Sequence, residues 1–133
     1  MNTQFKAARV ENYRVSDRSA ADIRYLVIHF TANDGDTAKN NADYFAREAP
    51  GVSAHFFVDE KEIWQSVREK DVAWHCGTRG MYFHPYCRNA NSLGIELCSR
   101  KQGEKYYFTP ETVKNAQNFV RFLMKKYDIP LAN

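Results

Sequence analysis

The chain has 133 residues, 44% of them hydrophobic and 14% aromatic, which suits one compact domain with a real core. Its net charge of +3 comes from 19 Lys and Arg against 16 Asp and Glu, spread without runs of like charge. That balance argues against nucleic acid as a partner and is compatible with an anionic polymer. No apolar stretch reaches the roughly 20 residues of a membrane span, and Met1-Asn-Thr-Gln-Phe-Lys6 lacks the apolar segment of a signal peptide.

Residues 1–21 are polar and aperiodic and read as an N-terminal arm or irregular lead-in, with the fold proper starting near Asp22. Arg24 to Phe30 is a short apolar run with Tyr, Val and Ile, the pattern of a central strand buried on both faces. Asn33-Asp-Gly-Asp36 breaks it. From Asp36 as N-cap, Ala42, Phe45, Ala46 and Ala49 recur at helical spacing until Pro50-Gly51. His55 to Val58 and Glu62 to Val67 then predict a hairpin turned at Asp59-Glu-Lys61.

Residues 68–92 form the longest irregular stretch, rich in Gly, His, Asn and aromatics, and a long loop in a compact domain is more often functional than idle. Leu93 to Cys98 is a further strand, with Leu93, Ile95 and Leu97 on one face and Gly94, Glu96 and Cys98 on the other. After a polar loop at Ser99 to Lys105, Thr109-Pro110 caps a long helix. Its stripe of Val113, Ala116, Val120, Leu123, Met124 and Tyr127 ends near Asp128. The order of elements predicts an α/β fold, a mixed central β-sheet flanked by helices.

Two residues carry the chemistry. A His at a strand end, as His29 is, is ordinarily structural. Glu96 changes that reading, because an ionised carboxylate in an apolar strand is costly unless it has a partner or a task, and buried carboxylates of raised pKa serve as general bases. A hydrolytic zinc site needs about three protein ligands, an open position for water and a carboxylate beside it. His29 and Glu96 can supply one ligand and the base. The three cysteines, Cys76, Cys87 and Cys98, are odd in number and lack C-x-x-C spacing, which speaks against a zinc ribbon or a redox pair. Cys98 reads as a small core hydrophobe, and the state of Cys76 and Cys87 stays open. His84 and Cys87 have ligand-like spacing, but the intervening Pro85 favours plain loop residues.

Four segments, Val27-Ile-His29-Phe-Thr31, Val52-Ser-Ala-His55, Ala73-Trp-His75-Cys-Gly77 and Asn91-Ser-Leu-Gly-Ile-Glu96-Leu97, resemble in identity and order the zinc-dependent N-acetylmuramoyl-L-alanine amidases. That family includes phage endolysins, autolysins and cell-wall recycling amidases, and shares its fold with animal peptidoglycan recognition proteins. The resemblance implies hydrolysis of the amide between N-acetylmuramic acid and L-alanine in peptidoglycan or a muropeptide, with Zn2+ as cofactor. It implies His29 as the first zinc ligand, Glu96 as the residue that activates water and protonates the leaving amine, and His55, Trp74 and His75 as substrate-binding residues of the cleft. It also implies a second His ligand after the long helix and a third, Cys or Asp, beyond it. The sequence stops at Ile129-Pro-Leu-Ala-Asn133, so residues 22–133 are expected to be an amidase catalytic domain cut short of those ligands, binding metal weakly and inactive or nearly so by itself. Lacking a signal peptide, the protein is expected in the cytoplasm, or at the wall after lysis if phage-encoded. The rival reading is a non-catalytic peptidoglycan-binding module of the same fold, which has no need of Glu96 beside His29.

Overall fold

The computed structural model describes residues 2–78 and 81–133. In chain order the elements are β1 (Gln4–Phe5), β2 (Tyr13–Arg14), β3 (Tyr25–Phe30), α1 (Ala38–Arg47), β4 (Phe56–Val58), β5 (Ile63–Gln65), β6 (Val72–Ala73), β7 (Gly77–Thr78), β8 (Met81–Tyr82), β9 (Ser92–Leu97), β10 (Arg100–Gln102), β11 (Lys105–Tyr107) and α2 (Pro110–Tyr127). The central sheet runs β1-β5-β4-β9-β3, with β4 antiparallel to β5 and the other pairs parallel. It is mixed, as expected.

Alternation along β9 sorts the two faces. Leu93, Ile95 and Leu97 join Phe56, Val58 and Ile63 under Ala116, Phe119 and Leu123 of α2, the main core. On the opposite face Ala38 and the partly buried Phe45 of α1 pack with Phe57, Ala54, Cys98 and Trp64. Because α1 sits over β4 and β5, the part of that face carried by β9 and β3 is left open. Cys98 is the core residue expected.

Several boundaries differ from expectation. β3 lies at the sheet edge, not its centre, and Ile28 and Phe30 are 50% and 47% exposed. The N-cap of α1 is Thr37: its hydroxyl accepts from the Asn40 N–H while Asn40 Oδ1 accepts from the Thr37 N–H. Asp36 falls one residue outside and its carboxylate accepts instead from the side chains of Asn33 and Asn41. The helix ends at Arg47, before Ala49. The polar stretch after β9 folds as the β10/β11 hairpin, turned with Gly103 at φ 62°. The long stretch 68–92 contains β6, paired with β2, and the β7/β8 hairpin, whose residues 79–80 lie outside the described residues.

Other expectations match local chemistry. The β4/β5 turn lacks glycine because Asp59 Oδ1 accepts the N–H groups of Lys61 and Glu62. Thr109 caps α2, Pro110 occupies its first turn, and Asp128 ends it at φ 53°. The lead-in is tied down by tertiary hydrogen bonds. Buried Asn12 donates to the carbonyls of Phe45 and Glu48 and accepts from the Gly51 N–H. Arg18 donates to the carbonyls of Glu69, Asn89, Ala90 and Ser92.

Candidate active site

The parallel register of β3 and β9 sets His29 opposite Glu96, on the face away from α2. Both open into a cleft of about 400 Å³ whose walls include Phe45, Val52, Ser53, Trp74 and His75. One wall is braced where the Ser53 N–H donates to the Trp74 carbonyl and the Trp74 N–H donates to Ser53 Oγ. Trp74 and His75 both line the cleft. Glu96, Phe45 and Val52 also border a second hollow of about 570 Å³, walled by Thr31, Asn40, Tyr44 and Arg47. Glu96 thus stands where two compartments meet.

His75 is held by more partners than its loop position implies. Its main-chain N–H and that of Cys76 both donate to Asn89 Oδ1, at 3.0 and 2.7 Å. Its ring lies over Gly94, where a Cβ would come within 2.8 Å of the ring atoms. Nε2 is 3.1 Å from Ser92 Oγ and Nδ1 is 3.0 Å from His29 Nε2. The His29 and His75 rings meet edge to face at 90°, centroids 5.2 Å apart.

Burial moves the acid and the imidazoles in opposite senses. Desolvation, aided by the charge of Asp36, pushes the Glu96 carboxyl up to about 7. Desolvation lowers the pKa of His29. It brings His75 down to about 2, helped by the neighbouring His55 and His29. At neutral pH both imidazoles keep lone pairs, while Glu96 is poised to take a proton and return it.

His55 does not meet its expectation of substrate contact. It is 0% exposed, its Nε2 bonds the Asp71 carbonyl at 2.9 Å and its Nδ1 accepts from the Gly94 N–H at 3.1 Å. Burial holds its pKa down to about 4, and the residue joins β4 to β9 behind His75. The His84-Cys87 pair is likewise no ligand set, since His84 Nδ1 accepts the N–H groups of Tyr86 and Cys87. Cys87 is a buried free thiol 3.8 Å from Cys76 Sγ, and burial together with that neighbour pushes it up to about 12.

Zinc needs about three protein donors. Among the described residues no group of three or more His, Cys, Asp or Glu converges to hold a metal. His29 fits as one donor, and the residues described do not complete a site.

Sequence reasoning missed Ser92, Gly94, Asn89 and Arg18. Only Gly94 carried a signal, because a glycine inside a strand marks a close approach.

A family model described as N-acetylmuramoyl-L-alanine amidase matches residues 19–133. The chain is 32% identical over 129 residues to the N-acetylmuramoyl-L-alanine amidase CwlL of Bacillus licheniformis, covering 91% of this chain and 35% of that protein. It is 36% identical over 104 residues to CwlA of Bacillus subtilis (strain 168), covering 77% of this chain and 35% of the relative. The chain therefore spans about a third of the length of these curated relatives. Among solved structures, PlyL superposes with a TM-score of 0.77 at 29% identity, covering 100% of this chain and 79% of that one. The catalytic domain of XlyA does so with 0.75 at 30%, covering 100% and 82%.

Proposed function

We propose, on the premise that this chain belongs to the N-acetylmuramoyl-L-alanine amidase family, that it hydrolyses the amide between the lactyl group of N-acetylmuramic acid and the L-alanine of the peptidoglycan stem peptide. The observation that carries this reading is Glu96, a carboxyl of raised pKa beside His29 where two compartments meet. A substrate with a sugar arm and a peptide arm needs such a junction, with the scissile bond at its centre.

Glu96 takes a proton from the attacking water as the new C–O bond forms. The C–N bond then breaks and the same carboxyl protonates the departing amine of alanine, leaving the lactyl carboxylate. Trp74 offers a flat apolar face to the sugar or peptide. The family is generally zinc-dependent, and zinc would polarise the carbonyl when bound; among the described residues His29 is the one proposed to hold it. Among the described residues no helix is long and apolar enough to cross a membrane. The place of action proposed is the cytoplasm, or the wall after lysis.

The test is release of new alanine amino termini from purified peptidoglycan with zinc supplied. Glu96→Gln should cut the rate by about 100-fold or more, the scale of general acid–base catalysis, while the protein still sediments with the wall. Unchanged release would sink the role of Glu96. Retained sedimentation with no release by wild-type protein shown to hold zinc would favour the binding-module reading instead.

A further inference from the structure

We propose that His75 is a positioning residue that fixes the tautomer of His29, placing the proton on His29 Nε2 and leaving its Nδ1 lone pair free. The proton positions are set in turn, starting from Ser92. A hydroxyl has a single proton, and the Ser92 hydroxyl lies 2.8 Å from the Arg88 carbonyl oxygen, which can only accept. Its proton is committed there, and the Cys76 thiol, 3.2 Å away and able to donate, is left to give its own proton to Oγ. At 3.1 Å from His75 Nε2 the same Oγ must then accept, so His75 carries its hydrogen on Nε2.

A neutral imidazole with Nε2–H has a bare Nδ1. That atom is 3.0 Å from His29 Nε2, so it accepts, and His29 in turn carries its hydrogen on Nε2. His29 Nδ1 has no hydrogen bond among the described residues, and the residue lines the cleft. Its lone pair is left for a metal ion or a proton.

The surroundings hold this chain of bonds in register. Ser92, Gly94 and Glu96 alternate along the cleft face of β9: the first anchors the His75 ring, the second leaves room for it, and the third is the carboxyl. Asn89 grips the His75 main chain, and Arg18 grips the carbonyls of both Asn89 and Ser92. The assignment of a use to the Nδ1 lone pair rests on the proposed function; the tautomer itself does not.

Imidazole 15N NMR of the whole protein above neutral pH tests this without measuring activity. The expected result is a scalar coupling across the hydrogen bond, with the proton on His29 Nε2 and a bare His75 Nδ1, and slow exchange of the Nε2 protons of both rings. A proton found on His75 Nδ1 or His29 Nδ1, or no coupling at all, overturns the proposal. His75→Ala should abolish the coupling and speed exchange of the His29 ring proton at least tenfold while main-chain resonances of β3 and β9 stay in place. Unchanged exchange there also overturns it. Should His75→Ala fail to fold, Gly94→Ala, which crowds the ring, must weaken the coupling, and an unaltered coupling refutes the assignment. A protein with the coupling that holds zinc but has no amidase activity would refute the proposed function and leave the tautomer standing.

Discussion

Glu96 lies on β9 and His55 just before its neighbour β4, and burial makes their charged states costly with opposite consequences for pH. Glu96 stays protonated in the folded state up to about 7, whereas unfolded it ionises near 4.5. Between those values the folded protein binds the extra proton, so this residue lowers stability as pH rises through that window. His55 does the reverse. Its folded pKa of about 4 against 6.5 unfolded gives stability that is present above 6.5 and lost as pH falls towards 4. The two slopes partly cancel where the windows overlap. Glu96→Gln should therefore be more stable than wild type by about 3 kcal/mol above pH 7 and indistinguishable below pH 4.5, in urea unfolding at both pH values. A gain of the same size at both would mean that the carboxyl's charge is not what costs stability.

Among elements, the lead-in and α1 depend on each other through one side chain. Asn12 satisfies two carbonyls around the C-terminal end of α1 and the N–H of Gly51, whose neighbours Val52 and Ser53 form the cleft wall. Asn12→Ala leaves these groups unpaired and should cost about 2 kcal/mol in unfolding free energy. Faster amide exchange confined to residues 45–53 is the local signature expected. None of this was legible in the sequence, because tertiary hydrogen bonds from a polar segment leave no periodicity. What was legible had local causes: Thr109 and Pro110 at the start of α2, Asp59 in a glycine-free turn, and the alternation that puts Glu96 opposite Leu97. β3 was misplaced because an apolar run does not reveal whether it has a neighbour on one side or two. That His29, Glu96, Trp74 and His75 belong to one candidate site was legible by motif, whereas the link from Ser92 through His75 to His29 depends on side-chain placement over Gly94 and was not.

The molecule as a whole presents one side that polar chemistry does not protect. β3 is an edge strand on which Asn133 takes only the Leu26 N–H, and it carries exposed Ile28 and Phe30 beside a groove of about 310 Å³ formed with Val113, Val120 and Met124 of α2. Long apolar edges promote association. Ile28→Lys should raise solubility and shift sedimentation towards monomer as concentration increases, with the cleft face untouched. No change would show that the edge is shielded in solution.

The pairing of β3 with β9 also says when the site comes into being. Its two central residues meet only after a long stretch of chain, α1 and the β4/β5 hairpin included, has been looped so that parallel strands can zip together. Closing such a loop costs entropy before any contact repays it, so local hairpins and helices form ahead of it. Refolding protein should regain its far-ultraviolet helical signal before His29 and Glu96 are neighbours, and the tertiary signal of the cleft around Trp74 should return with the slowest phase of folding.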